Sequence, residues 1–147
     1  MTLSESERQF VRRARVARLA TVTGDGAPHA VPVCYALVDG AVVSPLDEKP
    51  KAVEATELRR VRNVRADPRV TLLVDHYAEN WDELGWVQIR GTAELRQPND
   101  DGHEPAVRAL REKYDQYVDQ AIESRPVLRV SPGTVVSWGN LSARESV

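Results

Sequence analysis

The residues best suited to chemistry lie between Lys49 and Arg69. Seven are basic: Lys49, Lys51, Arg59, Arg60, Arg62, Arg65 and Arg69. Only Glu54, Glu57 and Asp67 oppose them, so the stretch carries +4 in a chain whose formal net charge is −2. Arginine suits phosphate, because its planar fork donates two parallel hydrogen bonds. A cationic island in an acidic chain is therefore either an anion site or a solvated basic helix face, the common fate of arginine runs.

Other chemistry is less well supported. There is no G-x-S-x-G elbow, no G-x-x-x-x-G-K-[ST] loop and no G-x-G-x-x-G. Gly24-Asp25-Gly26 leads into a strand and suits a hairpin turn. Cys34 sits in an apolar run, where a buried, inert thiol is expected. Asp75-His76 is either an acid–base pair or two residues at a strand end whose side chains face opposite sides. His29, His76 and His103 lie far apart, with no cysteine at metal-ligand spacing, so no zinc site is expected. Trp81, Trp86 and Trp138 are three of only eight aromatics. They serve either core and interface packing or as a wall for a flat ring. Anion-binding arginines and aromatics without a catalytic constellation fit an enzyme whose cofactor supplies the reactive centre.

Several elements must position these groups. Ser4 and Glu7 form a capping-box pattern that predicts a helix to about Ala14. Val16–Thr23 and His29–Val38 have strand character, joined by the Thr23–Gly26 turn. Pro32 lacks a ladder donor, which places its strand at an edge or bulge. Asp39-Gly40 is a two-residue hairpin signal returning the chain into Ala41–Ser44. Pro45 to Ala55 is polar, and Thr56 is the expected cap of a basic helix from about Glu57 to Ala66. Pro68 ends that helix, and Arg69–His76 is the strand it feeds. Tyr77 to Gly85 is an acidic loop. Trp86–Leu95 alternates as a long strand, in which Gly91 signals a bulge or a close backbone approach. Val107, Leu110, Tyr114, Tyr117 and Ala121 predict a helix over Glu104–Ile122. Val127–Val130 and Thr134–Trp138 are the closing strands, with Pro132-Gly133 as a turn between them. About seven strands and three helices, with a single β-α-β connection, exclude a doubly wound sheet. They favour a mainly antiparallel β architecture with appended helices, an α+β barrel.

The 147 residues suit one domain, 1–147, with enough chain for a core. A single cysteine excludes a disulfide framework within the chain. A polar start and the lack of an ~18-residue apolar run predict a cytoplasmic protein with no membrane partner. The slightly acidic total argues against nucleic acid as a partner.

Taken in order, the motifs resemble a known superfamily. LATVTGDGAPHAVPVCYALVDGAVVSP resembles the opening strands of the split β-barrel flavin and deazaflavin oxidoreductases, which include the pyridoxamine-phosphate-oxidase-like, FMN-binding proteins. RRVRNVRADPRVTLLVD is similar to their basic helix and following strand, WVQIRGTAEL to their long central strand, and VLRVSPGTVVSWG to their last hairpin. The branch it resembles most is the coenzyme F420-dependent B subgroup. The resemblance implies a homodimer with cofactor sites at the subunit interface. It places the phosphate grip on Arg59 and Arg60, just before Arg62-Asn63. Ser44 and Pro45 fall where a strand end meets the cofactor. Val31 to Tyr35, with Val33 at the centre, fall where strand backbone runs beside the ring. Asn63, and Trp138 in the last hairpin, complete the candidate set.

Two departures from the family pattern bear on the cofactor. Flavin-binding members often carry Arg-Lys where this chain has Arg59-Arg60. Extra residues between Ser44 and Arg59 include Lys49 and Lys51, which either reach an anionic tail that F420 has and FMN lacks, or lie in an exposed loop. The implied reaction is hydride transfer from reduced deazaflavin to a small electron-poor substrate. Tyr35, His29 and His76 are conceivable proton donors, and nothing in the sequence selects a catalytic residue among them. An FMN-dependent oxidase or reductase, and a non-catalytic cofactor-binding protein, are the alternatives.

Overall fold

A computed structural model describes residues 2–46 and 58–142. Three α-helices, α1 (Glu5–Arg13), α2 (Arg59–Ala66) and α3 (His103–Lys113), accompany seven strands. These are β1 (Ala17–Val22), β2 (Pro28–Val33), β3 (Ala36–Val38), β4 (Ala41–Pro45), β5 (Arg69–His76), β6 (Gly85–Arg96) and β7 (Val127–Gly139). All ladders are antiparallel, in the order β2-β1-β5-β6-β7-β4-β3. The two edge strands, β2 and β3, are joined by only Cys34 and Tyr35. Two residues span less than ~7 Å even when extended. The opposite edges of the sheet are thereby drawn together, and the sheet curls into a split barrel.

The local signals act as their chemistry dictates. Ser4 Oγ accepts from the Glu7 amide at 3.2 Å, and the Glu7 carboxylate accepts from the Ser4 amide at 2.8 Å. Asp39 and Gly40 both have positive φ, 49° and 80°, which brings Val38 opposite Ala41 in a tight hairpin. Pro32 lies on edge strand β2. The basic helix stops at Ala66, with Asp67 extended before Pro68. It starts at Arg59; the expected Thr56 cap and Glu57 lie outside the described residues.

Three expectations are corrected. The His29–Val38 run is two strands, broken at Cys34-Tyr35, because its halves pair with different partners, β1 and β4. The closing strands are one strand, β7, and Pro132-Gly133 is a bulge within it. The long partner β6 continues past this point, with the register shift falling between Arg90 and Gly91. The total of seven strands holds only because these two differences offset. Finally, α3 ends at Lys113 and not near Ile122. Tyr114 is extended, and the chain continues as 3₁₀ turns at Asp115–Val118 and Ile122–Ser124. The apolar spacing there reflects burial of Tyr114, Tyr117 and Ile122, with Arg111 donating to the Tyr117 and Gln120 carbonyls.

One core fills the barrel. Leu19, Leu72, Val74, Val87, Ile89 and Leu128 point inward, and Phe10 and Val11 of α1 pack against them. A second lies between α3 and β3–β4, built from Ala36, Val43, Val107, Leu110 and Ile122. Each such side chain contributes about 1.5–3 kcal/mol when fully buried.

A Cβ on Gly91 would lie 2.1 Å from the Ser131 carbonyl oxygen, a backbone atom that cannot swing away. On Gly133 it would meet the Arg90 carbonyl oxygen at 3.3 Å. Gly91→Ala is expected to cost about 1–3 kcal/mol, and Gly133→Ala less. Comparing the two midpoints in thermal melts checks this: equal stability in both variants would contradict the bulge geometry.

Candidate functional site

The arginines of α2 divide by helical phase. Val61, Asn63 and Val64 face the barrel, while Arg59, Arg62 and Arg65 are exposed. Arg60 is the exception, only 8% exposed, and it reaches a cleft of about 200 Å³. The rest of the lining is Val16, Pro32, Val33, Cys34, Ser44, Pro45 and Tyr117. Thus the end of β2, the corner after it, the end of β4, the basic helix and the turn after α3 converge on one opening. The walls are apolar strand, and the cation stands at the side.

The corner at Cys34-Tyr35 shapes this cleft. Backbone groups there leave one sheet edge before joining the other, so side chains must satisfy them. Ser44 Oγ donates to the Cys34 carbonyl at 2.7 Å. The Tyr35 amide donates to the Tyr114 hydroxyl at 3.0 Å. That hydroxyl in turn lies 2.9 Å from the Arg15 carbonyl and 3.0 Å from the Tyr35 carbonyl, donating to one at a time. Burial pushes the Tyr114 phenol up to about 12, which keeps this proton in place.

Behind the corner sits Lys113. Its Nζ lies 3.9 Å from the Tyr35 ring centre and 5.4 Å from that of Tyr114. Nζ is shut off from solvent and has no hydrogen-bond partner among the described residues. Burial, then the Arg15 guanidinium, push the ammonium down to about 8, and Cys34 acts the other way. Arg15 stacks on the second face of this arrangement, 4.8 Å from the Tyr114 ring centre, and donates to the Lys113 carbonyl at 2.7 Å.

Of the residues singled out in the sequence, the cleft gathers Val33, Ser44, Pro45 and Arg60. Arg59 is exposed and lowers the Asp25 carboxyl as a minor influence behind the hydrogen bond from Thr23, which places it toward the Thr23–Gly26 turn. Asn63 is turned inward, and its amide donates to Thr21 Oγ1 at 2.9 Å, both groups buried. Trp138 stands outside the barrel, 54% exposed and opposite Trp86 across the β6–β7 ladder. Trp81 is exposed in a 3₁₀ turn of the acidic loop. Lys49 and Lys51 lie outside the described residues.

Asp75 is no acid–base partner of His76, since its carboxylate takes Arg18 Nη1 at 3.0 Å. The Tyr35 hydroxyl donates to the Val11 carbonyl within the core. Neither His29 nor His76 lines the cleft. Cys34 is not buried in the core as expected but half-buried in the cleft wall. Val16, Tyr117 and Lys113 were missed. Only Pro32, which signals an edge or a bulge, hinted at an irregularity near the corner, because the elements that meet there are distant in the chain. Among the described residues no cluster of three or more His, Cys, Asp or Glu is placed to hold a metal, and no helix is long and apolar enough to cross a membrane.

A split barrel with an arginine beside an apolar strand wall defines a flavin-type cofactor-binding oxidoreductase fold. The chain belongs to the pyridoxamine 5'-phosphate oxidase family, which it matches over residues 3–139. It is 28% identical over 145 residues to a 5a,11a-dehydrotetracycline/5a,11a-dehydrooxytetracycline reductase of Streptomyces rimosus subsp. rimosus, covering 95% of this chain and 84% of the relative. The conserved hypothetical protein Rv2991 of Mycobacterium tuberculosis superposes with a TM-score of 0.75 at 26% identity, covering 100% and 93% of the two chains. A FAD-binding protein of Mesorhizobium loti gives 0.63 at 27%, covering 93% and 95%. Two more distant structures share the fold alone. An F420 reductase gives 0.67 at 21%, covering 91% and 98%, and a heme binding protein of Mycobacterium smegmatis gives 0.71 at 23%, covering 97% and 57%.

Two outcomes are expected from the corner. Tyr114→Phe strands the Tyr35 amide and should lower stability by about 1–3 kcal/mol, read by urea denaturation; an unchanged midpoint would remove the hydroxyl from this role. Lys113 is depressed from 10.5 to about 8 on folding. Between those values the unfolded chain holds a proton that the folded one does not, so this residue makes stability rise with pH across that window. The penalty is full below pH 8. Wild-type melting temperature should therefore gain on that of Lys113→Met as pH goes from 7 to 10, measured by scanning calorimetry.

Proposed function

We propose that this protein is a cytoplasmic reductase that binds coenzyme F420 and reduces a small, electron-poor molecule. The observation that carries the reading is the convergence of buried Arg60 with the apolar Pro32–Cys34 wall and the Ser44-Pro45 strand end. The similarity to a reductase that acts on a dehydrotetracycline supports the reaction class. The sequence resemblance to the F420-dependent subgroup, with its lysine-bearing insertion, supports the deazaflavin.

The residues present fit one end of such a cofactor. Arg60 would take phosphate through its fork, and the strand wall would lie along the ring. Bound there, the reduced deazaflavin would supply hydride. The chain's own part is to hold the ring against Val33 and Cys34 and to keep water from that face. Ser44 keeps the wall in shape through its bond to the Cys34 carbonyl.

About 200 Å³ is less than the ~300–1,000 Å³ of a complete small-molecule site. A second wall is needed, and a homodimer with cofactor sites at its interface is the proposed source. The outer face of β6 and β7 suits the contact. Trp138 and Val136 lie there two residues apart, 54% and 44% exposed, with Trp86 opposite Trp138, and large aromatics are typical interface anchors. In that arrangement Trp138 joins the site from the outside of the barrel. The likeness to a FAD-binding protein at 27% identity favours a flavin as the second reading.

Titration of apo-protein with F420 and with FMN separates the two, by fluorescence quenching. Arg60→Ala should weaken the preferred cofactor about 10- to 100-fold, the loss of one charge-assisted phosphate bond. Arg65→Ala, exposed and further along α2, should leave it within about twofold, well below a decade. Equal losses would mean a diffuse basic field, and no loss from either would mean a solvated helix face. Substrate turnover with NADPH and no deazaflavin would rule out F420 as the donor.

A further inference from the structure

Behind the corner that carries the cleft wall lies a cation that the reading above does not use. Lys113 ends α3, and its Nζ is buried against the Tyr35 ring at 3.9 Å and the Tyr114 ring at 5.4 Å. No described residue offers it a hydrogen bond. Ring faces attract an ammonium but do not replace its lost water. The charged and titratable groups around it are Arg15 from the α1–β1 link, Cys34 and Tyr35 from the corner, and Tyr114. Among the described residues none of these is a carboxylate. A leucine or methionine would fill the same space without the cost of burying a charge.

The field of this ammonium reaches Cys34, and Cys34 lines the cleft. Arg60 is in the cleft lining, and Lys113 lies against Tyr35, the neighbour of Cys34 in the corner. We propose that Lys113 is a positioning residue whose caged ammonium makes the cleft select the anionic form of the ring that lies against Cys34. The proposal rests on the deazaflavin reading, and it adds a second requirement to phosphate binding: negative charge on the ring itself. The oxidised deazaflavin ring carries an ionisable hydroxyl whose state shows in its absorption spectrum, so selection can be seen directly. Because the ammonium itself loses its proton near pH 8, the preference is full below that pH and fades above it.

The test uses full-length protein and oxidised coenzyme F420, with Lys113→Met, Lys113→Arg and Cys34→Ser beside wild type. In wild type the bound ring should ionise at lower pH than the free cofactor, and affinity should decline as pH rises through about 8. Lys113→Met should return the ring to its free titration, remove the alkaline decline and weaken binding at pH 7 by about tenfold, within the range of site couplings. Lys113→Arg, which stays charged, should keep the shifted ring and lose the decline. Cys34→Ser, which removes the thiol, should keep the decline with pH whatever it does to affinity. A variant that is only poorly folded lowers the amount of binding without moving the ring's titration. Identical ring titrations in wild type and Lys113→Met overturn the proposal, as does a Cys34→Ser variant without the decline. If wild type binds no F420, the functional reading falls and this proposal with it; in the other two cases that reading stands.

Discussion

Everything in this fold hangs on one passage of chain, where Cys34 and Tyr35 carry the backbone from one edge of the sheet to the other. No ladder can serve the polar groups at that point, and an unpaired buried amide or carbonyl costs about 1–3 kcal/mol. The Tyr114 hydroxyl and Ser44 Oγ supply the missing partners. Since Tyr114 follows α3 and Ser44 ends β4, the same bonds fix a helix and a strand against the corner. Barrel closure and cleft shape are therefore one constraint.

That constraint explains where polarity is tolerated. The barrel interior is apolar, with Asn63 and Thr21 satisfying each other. Of the other buried polar residues, Ser44 and Arg60 line the cleft, and His103 at the start of α3 pairs with the Arg125 carbonyl; the Lys113 ammonium is shut in behind the corner. Cations are the costliest groups to bury. Arg60 in the lining gives the cleft an electrostatic bias toward anions, stronger than the exposed arginines of α2 provide, because solvent screens those.

The outer surface divides in a similar way. Trp86 and Trp138 face each other across β6 and β7 on the side turned away from the core, whereas Phe10, Tyr35, Tyr114 and Tyr117 are buried. The proposed dimer would cover this face and add a second wall to the cleft.

The sequence by itself determined the local structure. The Ser4–Glu7 box, the Asp39-Gly40 turn, the stop at Pro68 and the bulge at Gly91 were legible because each depends on a few neighbouring residues and their own φ, ψ or hydrogen bonds. The ordered motifs also made the split barrel and its family recognisable. Tertiary structure alone decided which strand partners the long runs would choose. It divided His29–Val38 at the corner, fused the closing strands along β6, and stopped α3 at Lys113 because Tyr114 turns to serve Tyr35. It likewise chose Arg60 among the arginines, sent Asn63 inward, brought Tyr117 and Val16 to a cleft no motif announces and set Lys113 behind its corner. Those outcomes depend on contacts between residues as far apart as Tyr35 and Tyr114, and periodicity along one segment carries no information about what the other will offer.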